Sequence, residues 1–218
     1  MSRRPASAWT DDEAMRIARE MAAKHDLEII GFDTAGISEP TIREIAVAVD
    51  DMLAKYPIPL RGIEIAETHD GAPSRLVREE VPEGEQPEAP ATWIVLDRAA
   101  VANPIRAAGA VASATRKRAD RHDYDERPVY VTIVREFGRA LDTAGNFRAR
   151  QEAQRRLITE SLRGGAGFGH GLLDPGTALI EGFTEVVLRG DRAGGVATAL
   201  HGALVKMAQA VSAAPDEP

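Results

Sequence analysis

Val131-Thr132-Ile133-Val134-Arg135-Glu136-Phe137-Gly138-Arg139-Ala140-Leu141-Asp142-Thr143-Ala144 is the stretch on which the fold turns. Ile133, Val134, Phe137, Ala140, Leu141 and Ala144 recur at helical spacing and form one apolar, core-facing stripe. Arg135 and Arg139 are four apart, so they stand one above the other on a flanking face. Two like charges at that spacing repel slightly unless something acidic lies near them. Gly138, between them, weakens a helix interior by about 1 kcal/mol relative to alanine. Its presence predicts another backbone or a bulky group packed close against a crowded, charged flank.

C-terminal to this stretch everything reads as helix, with segments at 129–143, 146–162, 175–188 and 194–212 and a glycine-rich break from Gly164 to Gly171. The N-terminal side is mixed. Thr10 followed by Asp11, Asp12 and Glu13 predicts a capped helix running to His25. Gly31-Phe32-Asp33 reads as a short turn or strand. Pro40 in a first turn and the stripe Ile42, Ile45, Ala46, Val49, Met52 and Leu53 predict a second helix, ended by Tyr56-Pro57. Gly62 to Ala66 alternates as a strand, Asp70-Gly71 signals a turn, and Ser74 to Val77 is expected to pair back as a second strand. Val81 to Pro90, rich in Pro and Glu, predicts a mobile loop. Thr92 to Leu96 reads as a buried or edge strand. A helical region follows Pro104 to about Asp120, and the loop His122 to Arg127 leads into Pro128.

Composition narrows the function classes. A hydrophobic share of 44% with 28% charged residues is that of a water-soluble globular chain. Aromatics at 5% leave Ala, Val, Leu and Ile to build the core. The net charge of −7 argues against nucleic acid as a partner. The one basic cluster, Arg116-Lys117-Arg118 with Arg121, reads as a solvated helix end. No apolar run is long enough to span a membrane. Met1 to Ser7 lacks the apolar core of a secretion signal, so the expected location is cytoplasmic. With no cysteine, disulfides and thiolate metal sites are excluded.

The segment Arg135-Glu136-Phe137-Gly138-Arg139-Ala140-Leu141-Asp142 resembles the His-Glu-Phe-Gly-His-Ala-Leu-Asp helix of zincin metallopeptidases of the gluzincin type, with arginine at both histidine positions. Arg127-Pro128-Val129-Tyr130 ahead of it and Asp142-Thr143-Ala144-Gly145-Asn146 after it resemble phage- and actinobacterium-type members. So does Leu173-Asp174-Pro175 followed by Ala178-Leu179-Ile180-Glu181-Gly182-Phe183-Thr184-Glu185. The resemblance runs from about Arg127 to Leu204, with a looser match at Trp93 to Leu96, where the family has an edge strand beside its cleft. It implies an α+β, zincin-like metallopeptidase fold over a single domain, 1–218. A small mixed sheet falls in 1–126, with the mobile loop near 81–90, and a mostly helical part with the degenerate motif helix falls in 127–213.

In that family two histidines at i and i+4 bind zinc, the intervening glutamate activates the bound water, and a downstream helix supplies a glutamate as third ligand. The resemblance therefore puts Arg135, Arg139 and Glu181 at former metal-ligand positions and Glu136 at the general-base position. Glu185, His170 and Tyr130 are assigned to the border of the cleft. Arginine stays protonated and offers no lone pair, so zinc binding is expected to be lost and no cofactor is expected in its place. Two guanidinium groups facing Glu136, Glu181 or Glu185 would restore the charge balance of a zinc site, as an ion network holding two helices together.

The leading expectation is a catalytically inactive metallopeptidase-like protein with a binding or structural role. A protein or peptide would be held through the cleft or through the edge strand 92–96. Two alternatives stay open: an anion clamp built on Arg135 and Arg139 with Glu136 as a base, or a metallohydrolase whose ligands come from elsewhere, such as His122, His170 and Glu181. The other histidines fit no metal spacing: His25 follows a helix end, His69 precedes a turn and His201 lies on the last helix. His122 with Asp123 and Asp125 reads as a solvated loop, and Asp50-Asp51 as an acidic pair facing water. The Gly164 to Gly171 run is not a phosphate loop, because no Gly-Lys-Ser/Thr follows it.

Overall fold

The protein, described by a computed structural model over residues 6–33, 36–69, 71–78, 92–107, 126–162 and 174–212, is an α+β chain. Its elements in order are α1 (Ala6–His25), β1 (Glu28–Ile30), α2 (Glu39–Lys55), β2 (Leu60–Ala66), β3 (Ser74–Arg78), β4 (Thr92–Asp97), α3 (Arg98–Ala102), α4 (Pro128–Ala144), α5 (Ala149–Leu162), α6 (Pro175–Arg189) and α7 (Gly195–Ser212). A single 3-10 turn, Gly190–Arg192, joins the last two helices. The expected loop at 81–90, most of the helix after Pro104, the basic cluster around Arg116 and the glycine-rich break lie outside the described residues. So do His122 with its acidic neighbours and His170.

α1 starts at Ala6, ahead of the Thr10 start that the capping pattern suggests. Alanines at 6 and 8 favour helix more than the acidic run favours a boundary. α2 matches its pattern: Pro40 sits in the first turn, and Ile42, Ile45, Val49 and Met52 are all buried. β1 is three residues long and immediately precedes the expected turn at Gly31. There the backbone has φ +78°, and a Cβ would stand 2.2 Å from the Ile65 carbonyl oxygen, so only glycine fits.

The four strands form one mixed sheet in the order β1-β2-β4-β3, with β1, β2 and β4 parallel and β3 antiparallel to β4. This corrects two expectations. β3 does not pair back onto β2, because β4 lies between them. And β4, with a neighbour on each side, is not an edge strand. Ile94, Val95 and Leu96 are all buried, which is the continuous apolar run of a central strand rather than the alternation of an edge. Among the described residues the free edges belong to β1 and β3. The register aligns Ile29, Ile63, Ile94 and Leu76 in one row, and Ile65, Leu96 and Ser74 in the next row on the same face. Ser74 is thereby carried onto an apolar, buried face.

Two compact units divide the chain, 1–136 and 137–218, with the boundary inside α4 rather than ahead of it. In the first, α1 packs on α2, and the sheet supplies Ile63, Ile65, Ile94 and Leu96 to the core. In the second, α5, α6 and α7 pack on one another, with Leu157, Leu179, Phe183, Leu200 and Leu204 fully buried.

Candidate functional site

α4 covers the motif helix with one residue more at each end than its pattern predicts, and its apolar stripe is buried at Ile133, Val134, Phe137, Ala140 and Leu141. In the first unit its opening turn is fixed by Tyr130. The Tyr130 backbone N–H donates to Glu44 Oε1 at 2.8 Å, and its hydroxyl donates to Asp51 Oδ2 at 3.0 Å. The Arg127 guanidinium stacks 3.8 Å over its ring. Burial, and next the Asp51 carboxylate, push the Tyr130 hydroxyl up to about 12. Tyr130 is thus a buried anchor of this turn. Asp51 is correspondingly not a purely solvated acid. Its neighbour Asp50 accepts from Lys24 Nζ at 2.8 Å and meets His25 Nε2 at 2.5 Å, so the acidic pair ties α2 to two other helices.

Glu136, which the resemblance assigns to a general-base position, is fully buried. The Ser74 hydroxyl, brought in on β3, donates to Glu136 Oε1 at 2.5 Å. A buried carboxyl group needs such a partner, since leaving it unpaired would cost more than the bond itself contributes. Arg135, one residue earlier, is half-buried.

In the second unit Gly138 does what its position predicts. A Cβ there would stand 3.1 Å from Phe183 Cδ1 and 3.3 Å from Ile180 Cδ1. The motif helix and the downstream Ala-x-x-Glu-x-Phe helix therefore meet at this glycine. Glu181, on that downstream helix, and Arg139 are both exposed, so a network that included them would stand in water and not in a sealed core. Glu185 Oε1 accepts from the Gly194 backbone N–H at 2.8 Å. It fastens the turn before α7.

Two further described histidines are placed as follows. His69 is exposed. His201 stacks on the Phe183 ring with centroids 5.5 Å apart, and burial lowers its basicity. Among the described residues no three His, Asp or Glu side chains are grouped as metal ligands.

Two groups escaped the sequence reading. Ser74 looked like the first residue of a strand, and nothing local links it to a carboxylate 62 residues away. Asp142 looked like the polar end of the motif, yet it is buried and bound to Arg150 Nε at 2.7 Å. The spacing of eight across a turn was the only available sign. The chain matches no protein-family model, no curated protein and no solved structure, so its chemistry is read from these contacts alone.

Proposed function

We propose that this chain is a zincin-like domain that has lost zinc hydrolysis and serves as a binding or structural module. The observation that carries this reading is Glu136: fully buried and held by Ser74, it is placed as a tether between helix and sheet and not as a base open to water and substrate. The donor set agrees. Arg135 and Arg139 stand where two neutral imidazoles would be needed, and a guanidinium has no lone pair to give a metal. The residues present do not fit zinc. The α+β organisation, with a small mixed sheet ahead of the helices, suits such a domain. No described helix is long and apolar enough to cross a membrane.

A protein partner presenting an extended segment would be met by the free edge of β3, which offers unpaired backbone groups over five residues, against three in β1. The test is metal analysis of the purified protein together with peptide hydrolysis by the wild type and Glu136→Gln. Substoichiometric zinc and no hydrolysis that depends on Glu136 are expected. One zinc per chain, with hydrolysis abolished in Glu136→Gln, would overturn the reading.

A further inference from the structure

Asp142 lies in the last turn of α4, only 3% exposed. Its Oδ2 accepts from Arg150 Nε, while its Oδ1 is buried and has no hydrogen-bond partner among the described residues. A carboxylate in this state is poorly compensated, and its charge also sits at the unfavourable, C-terminal end of the helix dipole. Between the two partners the chain reverses through Asn146 at φ +50° and Phe147 at φ +59°. Two successive side-chain-bearing residues in the left-handed region are strained and persist only where their surroundings hold them. Backbone hydrogen bonds close the turn, among them Phe147 N–H to the Asp142 carbonyl at 2.9 Å, and Arg150 adds the side-chain hold: its guanidinium lies 4.5 Å over the Phe147 ring while its Nε donates to Asp142. It also lies against Gly176 at the head of α6, where a Cβ would come within 3.3 Å of it.

We propose that Asp142 and Arg150 form a proton-operated clasp on the α4–α5 turn, closed while Asp142 is ionised and opened when it takes up a proton. Once neutral, Asp142 no longer attracts the guanidinium, and Arg150 turns towards solvent and Asp174. The strained Asn146-Phe147 pair then loses its side-chain contact and is left to the backbone hydrogen bonds of the turn alone. The charged groups around the clasp are few. Arg150 on α5 is the one that acts on Asp142 among the described residues, and Asp174, the cap of α6, also feels Arg150. From α7, the backbone at Met207 and Ala208 lies beside Gly145, and no charge on that helix acts on Asp142.

Burial pushes the Asp142 carboxyl above its ordinary range, against the opposing pull of Arg150. A raised value in the fold means that the folded state binds the proton more tightly than the unfolded chain does. Acidification through that window therefore opens the clasp without drawing unfolding from Asp142 itself. This makes it a conformational device and not a trigger of acid denaturation.

The test is an NMR titration of the full chain from neutral to mildly acidic pH, following the Arg150 Nε–H signal and amide exchange at Phe147 and Arg148. The wild type is expected to lose the protected Arg150 signal, and protection of the turn, in one proton-linked step. Asp142→Asn should already show the open turn at neutral pH and no step. A step that persists in Asp142→Asn, or an Arg150 signal that stays protected across the titration, would overturn the proposal. Should Asp142→Asn fail to fold, Arg150→Gln gives the reciprocal reading: the Asp142 carboxyl carbon should titrate at higher pH. An unmoved titration there shows the two groups to be uncoupled and ends the proposal.

Discussion

From Pro128 to Glu136, α4 is anchored by hydrogen bonds from polar groups, whereas from Phe137 to Ala144 it is anchored by shape. In the first half Tyr130 reaches Glu44 and Asp51, and Glu136 reaches Ser74. In the second half Gly138 lets Phe183 and Ile180 come into contact, and the buried carboxylate of Asp142 is only half satisfied. The difference shows what polar and apolar contacts each contribute. Apolar packing tolerates small shifts along the helix, while a buried carboxyl group paired with one hydroxyl fixes a single register between helix and strand.

The sharpest way to break this contrast is Glu136→Ala. It removes a fully buried side chain and leaves the Ser74 hydroxyl buried without its acceptor, for a combined loss of about 3 kcal/mol. Ser74→Ala takes the donor from a fully buried carboxyl group and should cost about 2–3 kcal/mol, close to the first loss although it removes fewer atoms. The double variant should then cost less than the sum of the two, since the partners share one bond. Denaturant titration of the four proteins checks this, and strictly additive losses would show that the Glu136–Ser74 bond does not contribute.

The shape-held half was the more legible of the two in the sequence. Gly138 announced a close neighbour through its cost in a helix interior, and the stripe from Ile133 to Leu141 fixed the buried face, because both signals are local and periodic. The ends of α4, α6 and α7 followed for the same reason, whereas α5 begins at Ala149 and not at 146, because Asn146 and Phe147 take positive φ. The polar half was hidden. Ser74 and Asp51 are brought to Glu136 and Tyr130 by strand order and helix docking, and no pattern within a helical turn encodes either. The same limit misplaced β4: a five-residue apolar run is compatible with an edge or a centre until its neighbours are known. The exposure of Arg139 and Glu181 was likewise not encoded in the motif, because it depends on what packs against the two helices.

A smaller effect probes the shape-held half. Gly138→Val places branched atoms where a Cβ alone would already stand 3.1 Å from the Phe183 ring, and should destabilise by about 2 kcal/mol. Gly138→Ala is expected near neutrality, because the gain in helix propensity of about 1 kcal/mol is offset by the slight displacement of Phe183 and Ile180. Thermal unfolding separates the two. Equal stability of the valine and alanine variants would mean that α6 yields at this point and that the close approach does not constrain the helix.

The smallest effect tests the polar half by pH. Tyr130→Phe keeps the ring under Arg127 and removes the hydroxyl that Asp51 accepts, a loss of about 1 kcal/mol at neutral pH. Tyr130 holds its proton up to about 12 in the fold, against 10.0 ordinarily. The neutral phenol is therefore favoured by folding, and stability is lost as pH rises from the ordinary value towards the folded one, where the unfolded chain ionises and the native protein does not. The phenylalanine variant has no such loss. The advantage of the wild type should shrink above pH 10 and then change sign, whereas parallel stability curves for the two proteins would show that the Tyr130 hydroxyl is not held in the buried contact with Asp51.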